Sequence, residues 1–293
     1  MDIITGEKIQ LLCDFFIGEP SDFKYNPKVE LEKDRHILVN SNHIFPNNKP
    51  LKIFVYVRLF LKNIDELFNI LNNIKQKFIL VTHNSDFNLS EDIIKKLFTI
   101  DNLTKVYTQN INVDTKIYNN VISLPIGLPN SHWPHGNLKY INELVDKLPN
   151  KTNDIFFNFH IPVMKHMKGT DYEKKRSLCK KICVKKGIKW TPKVEYALYL
   201  KNLSTYKFAI CPEGNGIDTH RLWECLYLKV IPICLSCHMI NYYSKLFPII
   251  VLNSWEELSD VLKSDIASNI YSKSDWSNYK MLSFDNLKKQ IIF

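Results

Sequence analysis

The sequence predicts an α/β protein of two units, each built on a mostly parallel sheet. Three observations lead there. From Lys52 onward, apolar runs of strand length alternate with stretches of helical period, and strand–helix alternation is the pattern of parallel sheets. The alternation stops at the polar segment "PNKTND" (149–154) and then restarts. At 293 residues and 45% hydrophobic content the chain can also fill two cores.

Residues 1–50 carry turn signals at "GEPSD" and "NHIFPNNKP" with little clear period, so they are expected to be irregular. "KIFVYV" (52–57) reads as a buried strand and "NIDELFNILNNIKQ" (63–76) as an amphipathic helix. "KFILVTH" (77–83) is a second strand, followed by the helix "SEDIIKKLFTI" (90–100), which Ser90 is placed to cap. "KVYTQN" (105–110) and "VISLPIG" (121–127) read as further strands, and "NLKYINELVDKL" (137–148) as a helix. Beyond the break come the strand "IFFNFH" (155–160) and the helices "YEKKRSLCKKICVKKG" (172–187) and "VEYALYLKNLSTY" (194–206). "KFAICP" (207–212) and "VIPICL" (230–235) are strands on either side of the helix "DTHRLWECLYL" (218–228). "IIVLN" (249–253) and "WEELSDVLK" (255–263) complete the set. The domains are expected at 1–150 and 151–293, with the last helix able to pack back on the first.

The net charge is +9, from lysines spread along the whole chain. That suits a solvated basic surface and also favours anionic partners. Clusters such as "KKRSLCKKICVKK" (174–186) read as helix surfaces rather than basic arms. The seven cysteines form no CxxC pair, and Cys179 and Cys183 have no second pair at zinc-site spacing. They are expected to be small buried hydrophobes in a reducing compartment. The first residues carry acids and lack a basic region ahead of a long apolar core, and no run of about 18 apolar residues occurs. A soluble, cytoplasmic protein without a membrane span is expected, with peripheral membrane association left open and no signal for oligomeric state.

The stretch "FAICPEGNGIDTHRLWECLYLKVIPICL" (208–235) concentrates polar groups where a strand meets a helix. In open α/β sheets, ligands gather beyond the carboxyl ends of strands. Gly214 and Gly216 permit close backbone approach, and a helix start offers N–H groups to a phosphate. Arg221 can grip phosphate oxygens with two hydrogen bonds, and Glu224, three residues on, shares its helical face and suits the hydroxyls of a ribose. The loop residues Glu213 and Asn215 and the junction residues Asp218 and His220 complete this candidate nucleotide socket. The plainer readings are an N-cap for Asp218 and a surface ion pair for Arg221 with Glu224.

"CPEGNGIDTHRLWECLYLKVIPI" resembles the donor-binding signature of exostosin-like glycosyltransferases, found in bacteria and large DNA viruses. "FILVTHNSD" and "LPIGLPNSHWPHG" resemble segments of their first domain, so the likeness spans residues 50–265. It implies the GT-B fold, two Rossmann-like domains facing across a cleft. It also implies an inverting, metal-independent transfer of sugar from a nucleotide sugar, UDP-linked by preference, to a glycan hydroxyl. Glu224 would hold the ribose and Arg221 the phosphates; Arg176 would grip the diphosphate, with Asn158 and His160 facing the same cleft. Lys229 departs from the family, which has Gly there.

Such a transfer needs a base, expected from the first domain. "THNSD" (82–86) leaves a strand directly, which makes Asp86 the first candidate and His83 the second. "NSHWPHG" (130–136) supplies acceptor candidates: Trp133 as a stacking face, His132, His135 and Asn130 as hydrogen-bonding groups. Trp133 as an interface plug is the alternative. No metal site, cofactor or nucleic-acid motif is indicated. A polyanion-binding protein and an inactive GT-B scaffold are the competing functional classes.

Overall fold

The computed structural model describes residues 1–46, 49–161, 170–261 and 264–291. By contacts the chain divides into two compact units: 2–136 with 283–293, and 137–282 with Met1.

The first unit holds a six-stranded parallel sheet. Its strands are β1 (Phe15–Gly18), β2 (His36–Leu38), β3 (Leu51–Val55), β4 (Phe78–Thr82), β5 (Leu103–Thr108) and β6 (Val121–Ser123), in the spatial order β2-β1-β3-β4-β5-β6. Every residue of β4 is buried, as parallel strands covered on both faces should be. Between strands run α1 (Gly6–Leu11), α2 (Pro20–Lys24), α3 (Pro27–Glu30), α4 (Leu59–Lys62), α5 (Ile64–Asn72) and α6 (Glu91–Leu97). Ser90 caps α6, its side chain accepting from the Ile93 N–H.

The expectation of an irregular stretch before residue 50 is corrected. β1 lies inside the sheet, with Phe16 opposite Phe54 and Ile17 opposite Val55. Phe16 and Ile17 are fully buried. A strand of four residues is too short to show a period, which is why composition hid it.

The second unit begins with α7 (Lys139–Asp146) and contains the parallel strands β7 (Asn153–Phe156), β8 (Tyr206–Ile210), β9 (Ile231–Leu235) and β10 (Ile250–Leu252), in the order β10-β9-β8-β7. The helices α8 (Asp171–Lys185), α9 (Tyr196–Ser204), α10 (His220–Tyr227) and α11 (His238–Tyr243) connect them, followed by α12 (Leu258–Val261) and α13 (Ser264–Ser272). The core joins Phe157, Phe159, Phe208, Ile233 and Trp255 to the thiols of Cys179 and Cys183. Six of the seven cysteines are buried and all are unpaired. β7 ends earlier than the expected strand 155–160, because the Phe157 carbonyl accepts from the Thr191 N–H (2.8 Å) rather than continuing along β8. The last helix, α14 (Phe284–Gln290), belongs to the first unit, where the Tyr107 hydroxyl donates to the Gln290 carbonyl (2.8 Å). No helix among the described residues is long and apolar enough to cross a membrane.

α10 ends in a two-bond stop: the Lys229 N–H donates to Leu226 O (3.1 Å) and the Val230 N–H to Cys225 O (2.8 Å). The motif needs a left-handed residue, and Lys229 takes it at φ 51°. Lys229→Gly is expected to raise the unfolding free energy by about 1 kcal/mol, read as a higher urea midpoint; an unchanged or lower midpoint counts against strain there.

Lys151, inside the expected polar break, is the other device at these helix ends. Its ammonium donates to Ser204 O at the end of α9 (2.6 Å) and to Leu228 O at the end of α10 (2.7 Å). Burial, with a contribution from the Lys229 charge, pulls its pKa from 10.5 down to about 8. Between those values the unfolded chain binds a proton that the folded chain has released, so stability rises with pH through the window. The urea midpoint of the wild type should therefore climb relative to Lys151→Met from pH 8 to pH 10.5. Parallel midpoints would show that the buried lysine keeps its ordinary pKa.

Candidate functional site

In the second unit, the carboxyl ends of β7 and β8 and the start of α10 bring two arginines together. β8 stops at Ile210, and the loop after it closes tightly, the Gly214 N–H donating to Gly216 O (3.0 Å). Thr219, not Asp218, is the N-cap of α10, and it makes no side-chain capping bond. Asp218 is instead buried and accepts from the indole N–H of Trp223 (2.7 Å), fixing the helix start to its own first turn. His220 is half-buried, and Asn215 is exposed at the loop tip.

Arg221 lies half-buried beside this loop. One terminal nitrogen donates to the carbonyl of Asn158 (2.5 Å), and the guanidinium packs over the rings of Tyr199 (4.7 Å) and Phe156 (5.3 Å). Its Nε stands 3.7 Å from the Glu224 carboxylate, too far for a hydrogen bond, and is buried without another partner among the described residues. Glu224 is itself 5% exposed, with one oxygen accepting from the Tyr196 hydroxyl (3.0 Å) and the other from Tyr199 (2.5 Å). Glu224, expected to meet a ribose, is thus held below the surface by two tyrosine hydroxyls and faces Arg221 as its counter-charge. Burial pushes both tyrosine hydroxyls well above their ordinary range, and the carboxylate adds to that, so they remain donors.

Arg176 comes from α8 and is 9% exposed. It donates to Glu213 O (2.7 Å) and His160 O (2.8 Å), pinning the glycine loop to the segment after β7. Its guanidinium packs over Tyr172 (4.7 Å) and Phe159 (5.6 Å). Both bonded partners are neutral carbonyls, while the nearby Glu213 carboxylate pairs with Lys175 (2.6 Å). Burial and then the repulsion of Arg221 lower the pKa of Arg176. The two guanidinium charges thus feel one another, and only Arg221 has a carboxylate facing it, an arrangement that favours an anion. Gly214 leaves room for it: a β-carbon there would lie 3.5 Å from a terminal nitrogen of Arg176, in ordinary contact and partly covering it.

Asn158 and His160 lie at the same end of the sheet, and the two differ in what their side chains do. The Asn158 amide is spent on Thr191 O (2.5 Å), and His160 contributes its backbone carbonyl while its ring is exposed. Tyr196, Tyr199 and Phe156 are the members that sequence reasoning missed. The spacing of the two tyrosines, three apart on one helix, was the available signal.

In the first unit, the residues after β4 divide into buried ties and exposed groups. His83 is fully buried, with Nε2 against the Pro125 carbonyl (2.9 Å) and Nδ1 against Asn84 Oδ1 (3.3 Å), so it holds two loops together and is corrected as a candidate base. Gly6 packs directly on these two side chains; a β-carbon there would fall 1.9 Å from Asn84 Oδ1. Asn130 is likewise a tie, accepting from the Glu7 N–H (2.8 Å) and donating to Asn84 Oδ1 (3.0 Å). The Glu7 carboxylate is buried, which opposes its charge, yet Lys28 (2.6 Å) and Ser131 (2.8 Å) hold its pKa below the usual value. Asp86 is exposed beyond the end of β4. Trp133 and His132 pack edge-on with Tyr25, ring centres 5.6 and 4.8 Å away. Neither ring nitrogen of His132 has a partner among the described residues, and burial, opposed by Glu7, lowers its pKa. His135 is exposed on the same loop.

No protein-family model matches the chain, and no curated protein matches it. Among the described residues, no three His, Cys, Asp or Glu side chains are grouped to hold a metal ion.

Removing the Glu224 carboxylate strands a buried guanidinium and two phenols. Glu224→Ala should cost about 3 kcal/mol of stability, seen in urea unfolding, with Arg221→Met in the same background recovering part of the loss. A variant as stable as the wild type would mean that Arg221 does not depend on this carboxylate.

Proposed function

We propose that the chain is a glycosyltransferase of GT-B architecture that takes sugar from a nucleotide sugar, UDP-linked in our reading, and transfers it to a glycan hydroxyl. The observation that supports this most is the buried Arg176, hydrogen-bonded among the described residues to backbone carbonyls and lying within reach of the Arg221 charge. In transfer from a nucleotide sugar, negative charge develops on the departing diphosphate, and preorganised cations in a partly dry site stabilise it. Arg176 and Arg221 would meet that charge beside Gly214 and the start of α10, so no metal is required for this role. Glu224, Tyr196 and Tyr199 would fix the position of Arg221 rather than touch the donor.

In the first unit, Asp86 is the proposed base: an exposed carboxylate beyond a parallel strand can accept the proton of an attacking hydroxyl. Attack with inversion at the anomeric carbon would form the new glycosidic bond while the bond to the diphosphate breaks. Trp133 and His132 would contact the acceptor, together with the neighbouring Tyr25.

Thermal unfolding with UDP, GDP, CMP and ADP tests the nucleotide clamp. One of them is expected to stabilise the wild type, by about 2.7 kcal/mol at a hundredfold excess over its dissociation constant. Gly214→Val, which would cover Arg176, and Arg221→Lys, which removes the two-pronged grip, should lose most of that shift. If no nucleotide stabilises the wild type, or both variants respond as it does, the donor assignment fails. Binding of polyuridylate without any free nucleotide would favour the polyanion reading.

A further inference from the structure

The six-stranded sheet has a topological switch point that the nucleotide clamp leaves unused. From β1 the chain moves to β2 on one side and then to β3 on the other. Crevices at such points, beyond the carboxyl ends of parallel strands, are the habitual ligand sites of open α/β sheets. A cavity of about 300 Å³ lies there, walled by the segments after β1, β3 and β4. That volume is at the small end for ligand pockets and suits one small molecule rather than a chain.

Its polar groups define what it can hold. Asn26 lines the cavity and is 3% exposed. Its Oδ1 caps α3, accepting from the Lys28 N–H (3.1 Å), while its Nδ2 has no hydrogen-bond partner among the described residues. A buried donor without an acceptor is costly, and a ligand oxygen would satisfy it. Arg58 is the cavity's cation, but Asp22 (2.6 Å) and Glu19 (2.7 Å) already neutralise it. Asp86, exposed on the segment after β4, supplies a carboxylate. The cavity therefore offers no surplus positive charge to an anion. Tyr25 and Phe87, each 56% exposed, add flat apolar surface beside these groups.

We propose that this cavity binds a single ring of a neutral or amino sugar. The Asn26 Nδ2 donates to a hydroxyl oxygen, the Asp86 carboxylate accepts from hydroxyls or pairs with an ammonium, and Tyr25 or Phe87 covers the apolar ring face. Anionic sugars are disfavoured, because Asp86 repels them and Arg58 is already paired. Asp86 and Tyr25 are also the base and an acceptor contact of the proposed transfer, so the inference rests on that reading, and sugar binding without nucleotide separates its failure from that of the nucleotide clamp.

Saturation-transfer NMR on the full chain, without nucleotide, tests it with millimolar D-glucose, D-galactose, D-mannose, D-xylose, D-glucosamine and D-glucuronate. At least one of the first five should receive saturation, and glucuronate should bind no better than any of those that do. Asp86→Asn and Asn26→Asp should each weaken the bound sugar about tenfold, while Lys75→Ala, exposed at the amino end of β4, should not. Asn26→Asp keeps the capping oxygen, removes the donor and adds a carboxylate charge; circular dichroism checks that the fold survives, and Asp86→Asn decides alone if it does not. No transfer to any of the five, strongest binding of glucuronate, or wild-type affinity in the folded variants overturns the proposal.

Discussion

The second unit turns on one charge arrangement, Arg221 facing a Glu224 carboxylate that two tyrosine hydroxyls hold. A guanidinium on the first turn of α10 is tolerated out of water because a carboxylate one turn later faces it and two rings pack against it. Because that same guanidinium donates to the Asn158 carbonyl, it also decides where the chain goes after β7. Arg176 repeats the device from α8, tying the next carbonyl pair. Three segments distant in sequence are thereby set at one end of the sheet by two side chains.

The first unit adds a network built largely from side-chain amides. Glu7, Asn130, Asn84 and Gln10 form a chain of hydrogen bonds that ends on the hydroxyl of Tyr56. Each member is buried or half-buried, and networks of this kind are rigid only when every member is satisfied. Asn84 takes its place in a left-handed conformation, φ 60°, which an asparagine tolerates better than most residues. The exposed Asp86 follows two residues later, so its position is set by a largely buried framework.

Much of this was legible in the sequence, and the exceptions have physical causes. The alternation of strand and helix after residue 52 was readable because burial on both faces leaves continuous apolar runs such as "FILVT". Arg221 and Arg176 were readable as cations at a strand–helix junction. What could not be read is which polar groups are spent internally. His83, Asn130 and Asn158 look available in a sequence and are consumed by backbone carbonyls and amides in the fold. Glu224 was read as a ribose ligand, with an ion pair to Arg221 only as the plainer alternative, and its two phenol donors were not legible because Tyr196 and Tyr199 come from a helix with no sequence link to it. The short β1 and β2 escaped because three or four residues cannot display a period.

The first unit is made from both ends of the chain. Residues 283–291 pack with the opening segment, as in the Phe284 N–H bond to the Asp2 carbonyl (2.8 Å) and the pairing of Ile3 with Ser283. During synthesis, the ribosome releases all of 137–282 before it delivers that closing piece. The second unit can therefore finish folding while the first is still waiting for α14, and the sheet that emerges earliest is the last to be sealed. Order of birth and order of completion are reversed, so a nascent chain arrested short of residue 283 would carry one finished unit and one open one.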